Sequence, residues 1–237
     1  MCFRSITVHT NYMMYFPHPL LAREDGLLAI GGDLSTERLK LAYSFGIFPW
    51  YGDNEPIMWW SPRERFVLFP EKIKTSKSMR NYINRKVYTV TVNQSFGNVI
   101  SHCRTIKREG QSGTWITSEV KQSYMKLHKK GLAHSVEVWN DNQLVGGLYG
   151  VCLGKIFFGE SMFSYQPNAS KYGFISFVNY LKKLGCQVVD CQIYSEHLSS
   201  LGAETYSNIN FFRDLKNNIF EENLKIESGI VLTSEES

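Results

Sequence analysis

The sequence predicts an α+β protein in which a small N-terminal lobe leans on a larger mixed sheet flanked by helices. Three observations lead there. Strand-like runs follow one another closely over 133–163, a long helical stripe comes next, and one more strand pattern closes the layer. The first 63 residues differ in kind, being dense in Gly, Pro and aromatics, so 1–63 is taken as one lobe and 64–237 as the other.

Within the small lobe the runs are FPHPLL (16–21), GLLAIGGDL (26–34), GIFPWYG (46–52) and PIMWWSP (56–62). They hold one short helix. Ser35 caps it, Glu37 sits in its first turn, Leu39, Ala42 and Tyr43 share a face, and Gly46 ends it. The rest of this lobe reads as turns pinned by Pro and Gly.

In the larger lobe, 87–92 alternates like a strand. Residues 117–130 form a helix with Val120, Tyr124 and Leu127 inward, Lys126, Lys129 and Lys130 near its end, and Gly131 as stop. Runs 133–139, 143–153 and 156–163, turning at Asn140-Asp141-Asn142 and Gly154-Lys155, read as an antiparallel meander. A helix over 170–184 turns Phe174, Phe177, Val178, Leu181 and Leu184 inward and stops at Gly185; 188–193 is a further strand. This order resembles the acetyltransferase-like (GNAT) fold.

Composition excludes several classes. The chain has 237 residues, 43% of them hydrophobic and 20% charged, as in ordinary globular material. Its net charge of +4 is too small to prove a polyanionic partner, so charge placement must decide. The first residues lack the apolar run of a signal peptide, and nothing approaches the ~18 apolar residues of a membrane span. Five cysteines (2, 103, 152, 186, 191) include no CxxC pair. That predicts reduced thiols, a cytoplasmic location and no structural metal.

Several short runs stand together. They are GGDL, GIFPW and WWSP in the small lobe, then TWIT (114–117), AHSVEVW (133–139), GESMFS (159–164), NASK (168–171), DCQ (190–192) and SLGA (200–203). In this order, from about Phe16 to Ala203, the set resembles the bacterial leucyl/phenylalanyl-tRNA–protein transferase family. The resemblance implies an enzyme that moves Leu or Phe from aminoacyl-tRNA onto the N-terminal Lys or Arg of a protein. In that family the product is a destabilising N-terminus read by a protease adaptor. It implies a GNAT-like large lobe; with the composition above, the reading is a monomer with no metal, no small cofactor and no membrane partner. The family places an Arg shortly after SLGA; here Glu204-Thr205-Tyr206-Ser207-Asn208 carries no basic residue.

Asp190 and Gln192, two apart in a strand, are expected on one face, with Val189, Cys191 and Ile193 opposite. An acid and an amide on an apolar strand must be hydrogen-bonded. They are either a structural polar pair or, as the resemblance implies, part of the reaction centre. Gln192 is no strong base and can orient an amine or donate to an oxyanion; Asp190 can orient Gln192 or face an ammonium. Glu160, expected at a strand end beside Gly159, is either an exposed turn glutamate or a carboxylate for the acceptor's positive N-terminus or basic side chain. Trp50 and Trp115 can stack a terminal adenine or fill core, whereas Trp59 and Trp60 read as packing. By correspondence with the family, Leu148, Phe157, Phe174 and Ile193 are candidates for the aminoacyl pocket. Such a pocket separates aliphatic side chains by only ~1–3 kcal/mol, so some Met transfer is expected.

Between Glu71 and Lys86 lie Lys72, Lys74, Lys77, Arg80, Arg85 and Lys86 with Tyr82, either a phosphate-facing strip or a solvated basic helix face. Lys77, Arg80, Arg85 and Lys86 are the candidates for tRNA phosphates. Three rivals are weighed. An acetyl-CoA enzyme needs a Gly-rich phosphate cradle, and 165–170 has no glycine. A non-catalytic RNA-binding protein leaves Glu160, Asp190 and Gln192 without purpose. A Cys191–His197 hydrolase lacks an orienting third group, and a buried thiol explains Cys191 better.

Overall fold

The computed structural model describes residues 8–9, 15–106 and 114–232. Strands β1 (Val8–His9) and β2 (Leu27–Ile30) precede helix α1 (Thr36–Ser44), and β3 (Phe48–Pro49) and β4 (Met58–Trp60) follow it. The chain then runs through β5 (Glu64–Leu68), α2 (Lys77–Asn84), β6 (Thr89–Val92), α3 (Phe96–Thr105) and α4 (Ser118–Lys129). The meander β7 (Ala133–Asn140), β8 (Gln143–Leu153) and β9 (Ile156–Ser164) leads into α5 (Ala169–Lys183) and β10 (Val188–Gln192). Last come α6 (Glu196–Ser200), β11 (Glu204–Ser207), α7 (Asn208–Asn218) and β12 (Val231–Leu232).

Local chemistry accounts for the helix ends. The Ser35 hydroxyl accepts from the Arg38 amide at 3.3 Å, and Thr117 accepts from Val120 at 3.2 Å, each satisfying an amide that the helix leaves unpaired. Gly46 at φ +67° and Gly131 at φ +71° supply the left-handed residues that end α1 and α4.

Strands β1, β2, β4 and β3 make a small four-stranded sheet. The expectation that this part of the chain holds one helix and otherwise turns is corrected: short strands run through GLLAI and IMWW. Pro and Gly interrupt them so often that period-2 alternation never develops. Hydrogen bonding keeps this sheet apart, but its side chains do not stand alone. Leu28, Ala29, Phe48 and Trp59 join one apolar cluster with Val99 of α3, Tyr124 of α4, Phe158 of β9 and Phe211 of α7.

The large sheet has eight strands in the order β11-β5-β10-β9-β8-β7-β6-β12. Only β9 and β10 run parallel, connected by the α5 crossover; the other neighbours are antiparallel. The parallel pairing stops early. Val188, Val189 and Asp190 pair with Ile156, Phe157 and Phe158, after which β9 continues beside β8 alone. The two strands therefore separate beyond Phe158 and Asp190, and a crevice opens at their carboxyl ends. On the face opposite the first cluster, a second apolar cluster joins Met79 and Ile83 of α2, Phe174 and Phe177 of α5, and Phe157 and Val189 of the sheet.

Candidate active site

Two β-bulges face each other across the split. Tyr149 pairs with Ser161 and Gly150 with Gly159, so Glu160 is the extra residue of β9. Asp190 pairs with Val67 and Gln192 with Phe66, so Cys191 is the extra residue of β10. A bulge redirects side chains that regular alternation would place elsewhere. Glycine makes the first one possible: a Cβ on Gly150 would collide with the Phe158 carbonyl and the Phe157 ring. Two expectations are corrected. Glu160 does not end its strand, and the alternation predicted for 189–193 breaks at Cys191, with Gln192 in the left-handed region at φ +66°.

The Gln192 carboxamide donates from Nε2 to Glu160 Oε1 at 2.8 Å. The Tyr43 hydroxyl of α1 donates to the same oxygen at 2.7 Å, and the Tyr124 hydroxyl of α4 donates to Oε2 at 3.0 Å. The two phenols also touch each other. Burial pushes the Glu160 carboxyl up to about 7; the Asp190 charge adds to the rise, and the bonds from Tyr43, Tyr124 and Gln192 oppose it. Burial and the neighbouring Glu160 charge hold both phenols well above the ordinary tyrosine range.

Asp190 lies beneath this group and is fully buried. Arg65 of β5 meets it with two bonds, Nε to Oδ1 at 2.8 Å and Nη2 to Oδ2 at 2.6 Å. The Arg65 guanidinium is stacked by Phe48 at 4.9 Å and Phe211 at 4.7 Å. Asp190 Oδ1 also accepts the Gln192 backbone N–H at 2.9 Å. The expectation that Asp190 could face a substrate ammonium is therefore corrected, since Arg65 occupies that side. The geometry that remains is the other expectation, an acid that fixes the backbone of Gln192.

Glu160 and Gln192 open into a cavity of about 760 Å³. Its walls include Trp50, Trp115, Leu148, Phe157, Phe174 and Ile193, so the predicted stacking and pocket residues all border one space. Trp50 is 38% exposed and meets Trp60 edge-on, whereas Trp59 is fully buried with its indole N–H on the Gly31 carbonyl. Lys77 and Arg80 on α2, with Arg85 and Lys86 just after it, are exposed and lie outside the cavity lining. Lys72 of the predicted strip is tied to Glu204 at 2.6 Å, and Glu71 to Lys182 at 2.6 Å. The segment where the family's Arg is expected is strand β11, paired with β5, and Tyr206 there donates to Asp214.

Tyr43, Tyr124 and Arg65 were not read as site residues. The first two sit on apolar helical stripes, where a tyrosine looks like core. Their one legible signal was a hydroxyl that a buried stripe must satisfy. Cys191 is buried and its thiol is pushed far above the ordinary range by burial, which makes it a poor nucleophile. Cys103, Cys152, Cys186 and Cys191 are free thiols, and Cys2 lies outside the described residues. Among the described residues no group of three His, Cys, Asp or Glu could hold a metal ion, and no helix is long and apolar enough to cross a membrane.

The family model described as leucyl/phenylalanyl-tRNA protein transferase matches residues 67–216, and the model of its N-terminal domain matches 32–63. The leucyl/phenylalanyl-tRNA–protein transferase of Flavobacterium johnsoniae is 54% identical over 86% of this chain and 96% of its own. That of Christiangramia forsetii is 55% identical over 84% and 95%. The crystal structure of FemX superposes with a TM-score of 0.51 at 11% identity, covering 73% of this chain and 66% of that one, a likeness of fold.

Proposed function

This chain belongs to the leucyl/phenylalanyl-tRNA–protein transferase family, and we propose that the crevice between β9 and β10 is where its aminoacyl transfer takes place. It is an aminoacyltransferase whose substrates are an aminoacyl-tRNA and a protein. We take the donor residue to be Leu or Phe, with some Met, and the acceptor to be an N-terminal Lys or Arg, so that the product is marked for degradation. Residues 1–63 are taken as a small lobe and 64–237 as a GNAT-like catalytic domain, acting as a cytoplasmic monomer.

The observation that carries this reading is the hydrogen bond between Gln192 and Glu160 on the wall of an aromatic-lined cavity. Trp50 and Trp115 offer ring faces for the terminal adenine, at ~1–3 kcal/mol per stacked base. Leu148, Phe157, Phe174 and Ile193 offer apolar wall to the aminoacyl side chain. Lys77, Arg80, Arg85 and Lys86 are assigned to tRNA phosphates.

The reaction is direct attack of the acceptor α-amine on the aminoacyl ester. An α-amine has a pKa near ~7.7–8.0, so freeing its lone pair at neutral pH costs only about 1 kcal/mol. Holding two substrates in register contributes roughly 7–11 kcal/mol, so positioning dominates. Gln192 is assigned to orient the amine or the developing oxyanion, Asp190 to fix Gln192, and Glu160 to contact the amine. No covalent acyl-enzyme is required. The deciding experiment is incubation with labelled leucyl-tRNA and peptides beginning with Arg or Ala. Label is expected in the Arg peptide alone; equal labelling of both, or of neither, refutes the acceptor assignment.

A further inference from the structure

The Glu160 carboxylate is unusually committed. Oε1 already accepts from Tyr43 and Gln192, and Oε2 accepts from Tyr124. A carboxylate offers about four acceptor positions, so one remains, on Oε2. One position suits a single N–H and not the two-pronged grip of a guanidinium. The basic side chain of the acceptor is thus poorly matched to Glu160, while its attacking nitrogen is well matched.

The proton count among the three oxygens is the second observation. Tyr43, Tyr124 and Glu160 make three mutual contacts, Tyr43 to Glu160, Tyr124 to Glu160 and Tyr43 to Tyr124. With Glu160 ionised, the two phenols own only two protons for three contacts. A proton on Oε2 closes the ring: Oε2–H donates to Tyr124, Tyr124 to Tyr43, and Tyr43 to Oε1. The arrangement lacks one proton and has a place for it.

We propose that Glu160 takes the proton released by the attacking amine, and that Tyr43 and Tyr124 are positioning residues that hold it for that step. The inference rests on the site reading given above. The neutral amine nitrogen gives its lone pair to the ester carbonyl carbon, forming the C–N bond. Its surplus proton passes to the free position of Glu160 Oε2, and rotation about the C–O bond carries it to the side of Tyr124, whose hydroxyl turns to Tyr43. The ester C–O bond then breaks with its electron pair on the ribose oxygen, and that oxygen takes a proton back, so Glu160 ends ionised and the proton balance closes.

The groups facing Glu160 are Tyr43 from α1, Tyr124 from α4, and Asp190 and Gln192 from β10, with Tyr149 of β8 packed edge-on against Tyr124. Asp190 is ion-paired with Arg65, and Tyr43 and Tyr124 are held protonated by burial. Glu160 is consequently the group in this cluster placed to titrate near neutrality.

Steady-state transfer from leucyl-tRNA to an Arg-initial peptide, measured from pH 5.5 to 9, tests the proposal. Glu160→Gln keeps the shape and can bond both phenols but accepts no proton. Its kcat is expected to fall about 100-fold with the KM for the peptide little changed. A raised KM with kcat intact means recognition and overturns the proposal. Unaltered kcat and KM together overturn the site reading itself. Tyr43→Phe and Tyr124→Phe each remove a donor to the charged form, so the acidic midpoint of the profile is expected to move up by about one pH unit. Midpoints equal to wild type refute the positioning role. If a Phe variant fails to fold, carboxyl titration of the intact protein decides, by infrared difference against Glu160→Gln. A Glu160 midpoint in the ordinary glutamate range refutes the proposal.

Discussion

Arg65 and Asp190 are joined by two hydrogen bonds, at 2.8 and 2.6 Å, in a place where both side chains are essentially dry. The pair binds β5 to β10 just below the point where Gln192 departs from regular strand geometry. A buried ion pair adds little net stability over well-packed apolar residues, but loss of one partner leaves a stranded charge. Its evident product is the fixed backbone of Gln192.

Arg65→Ala is therefore expected to lower unfolding stability by about 3–5 kcal/mol in urea titrations. The double variant Arg65→Met/Asp190→Leu is expected to recover most of that stability while transferring poorly, because Gln192 loses the acceptor for its N–H. A double variant as active as wild type would show that the pair has no part in placing Gln192.

Glu160 gives stability an unusual pH sign. Its folded value of about 7 lies above the ordinary glutamate value of 4.5, so between those limits the folded state binds more protons than the unfolded one. Stability from this group is present at low pH and declines as pH rises from about 4.5 to about 7. Each unit is worth ~1.4 kcal/mol, so Glu160→Gln is expected to gain up to about 3 kcal/mol on wild type between pH 4.5 and pH 8. Urea unfolding at the two pH values checks it; no gain would place the carboxyl in water.

His134 acts in the opposite direction. Burial, helped by His128, lowers it from 6.5 to about 4. The unfolded chain then takes up a proton that the folded chain refuses, and stability falls as pH drops from about 6.5 towards 4. Replacing His134 with Gln is expected to remove a loss of about 2 kcal/mol between pH 6.5 and 5. The two slopes overlap and partly cancel in the wild type, so each shows clearly only in its variant.

Trp50→Ala is expected to weaken binding of a leucylated acceptor-stem minihelix about 5- to 150-fold, the equivalent of ~1–3 kcal/mol of stacking, with Trp50→Phe closer to wild type. Equal affinities in a filter-binding assay would return Trp50 to a packing role beside Trp60.

Lys77→Ala/Arg80→Ala is expected to weaken full-length tRNA and flatten log Kd against log salt by about 1.5 to 2, the share of two phosphate contacts. An unchanged slope removes α2 from the interface.

Much of the layer was legible because its elements are long and regular. The meander and α5 begin and end within a residue or so of expectation, their periodicities being unbroken and their ends marked by Asn, Gly and Lys. The small sheet was not legible, since strands of two to four residues carry too few side chains to alternate. In the crevice, residue types were readable but directions were not. Asp190 and Gln192 stood out as polar on an apolar strand, yet the bulge at Cys191 leaves no mark in composition. Arg65 drew no reading from the sequence, because its partner lies 125 residues away.

Phe48 and Phe211 cover the Arg65 guanidinium from near the beginning and near the end of the chain. A polypeptide still being synthesised, with residue 211 inside the ribosome, holds Asp190 and Phe48 but lacks the second ring, so the surroundings of that arginine are completed only when α7 docks.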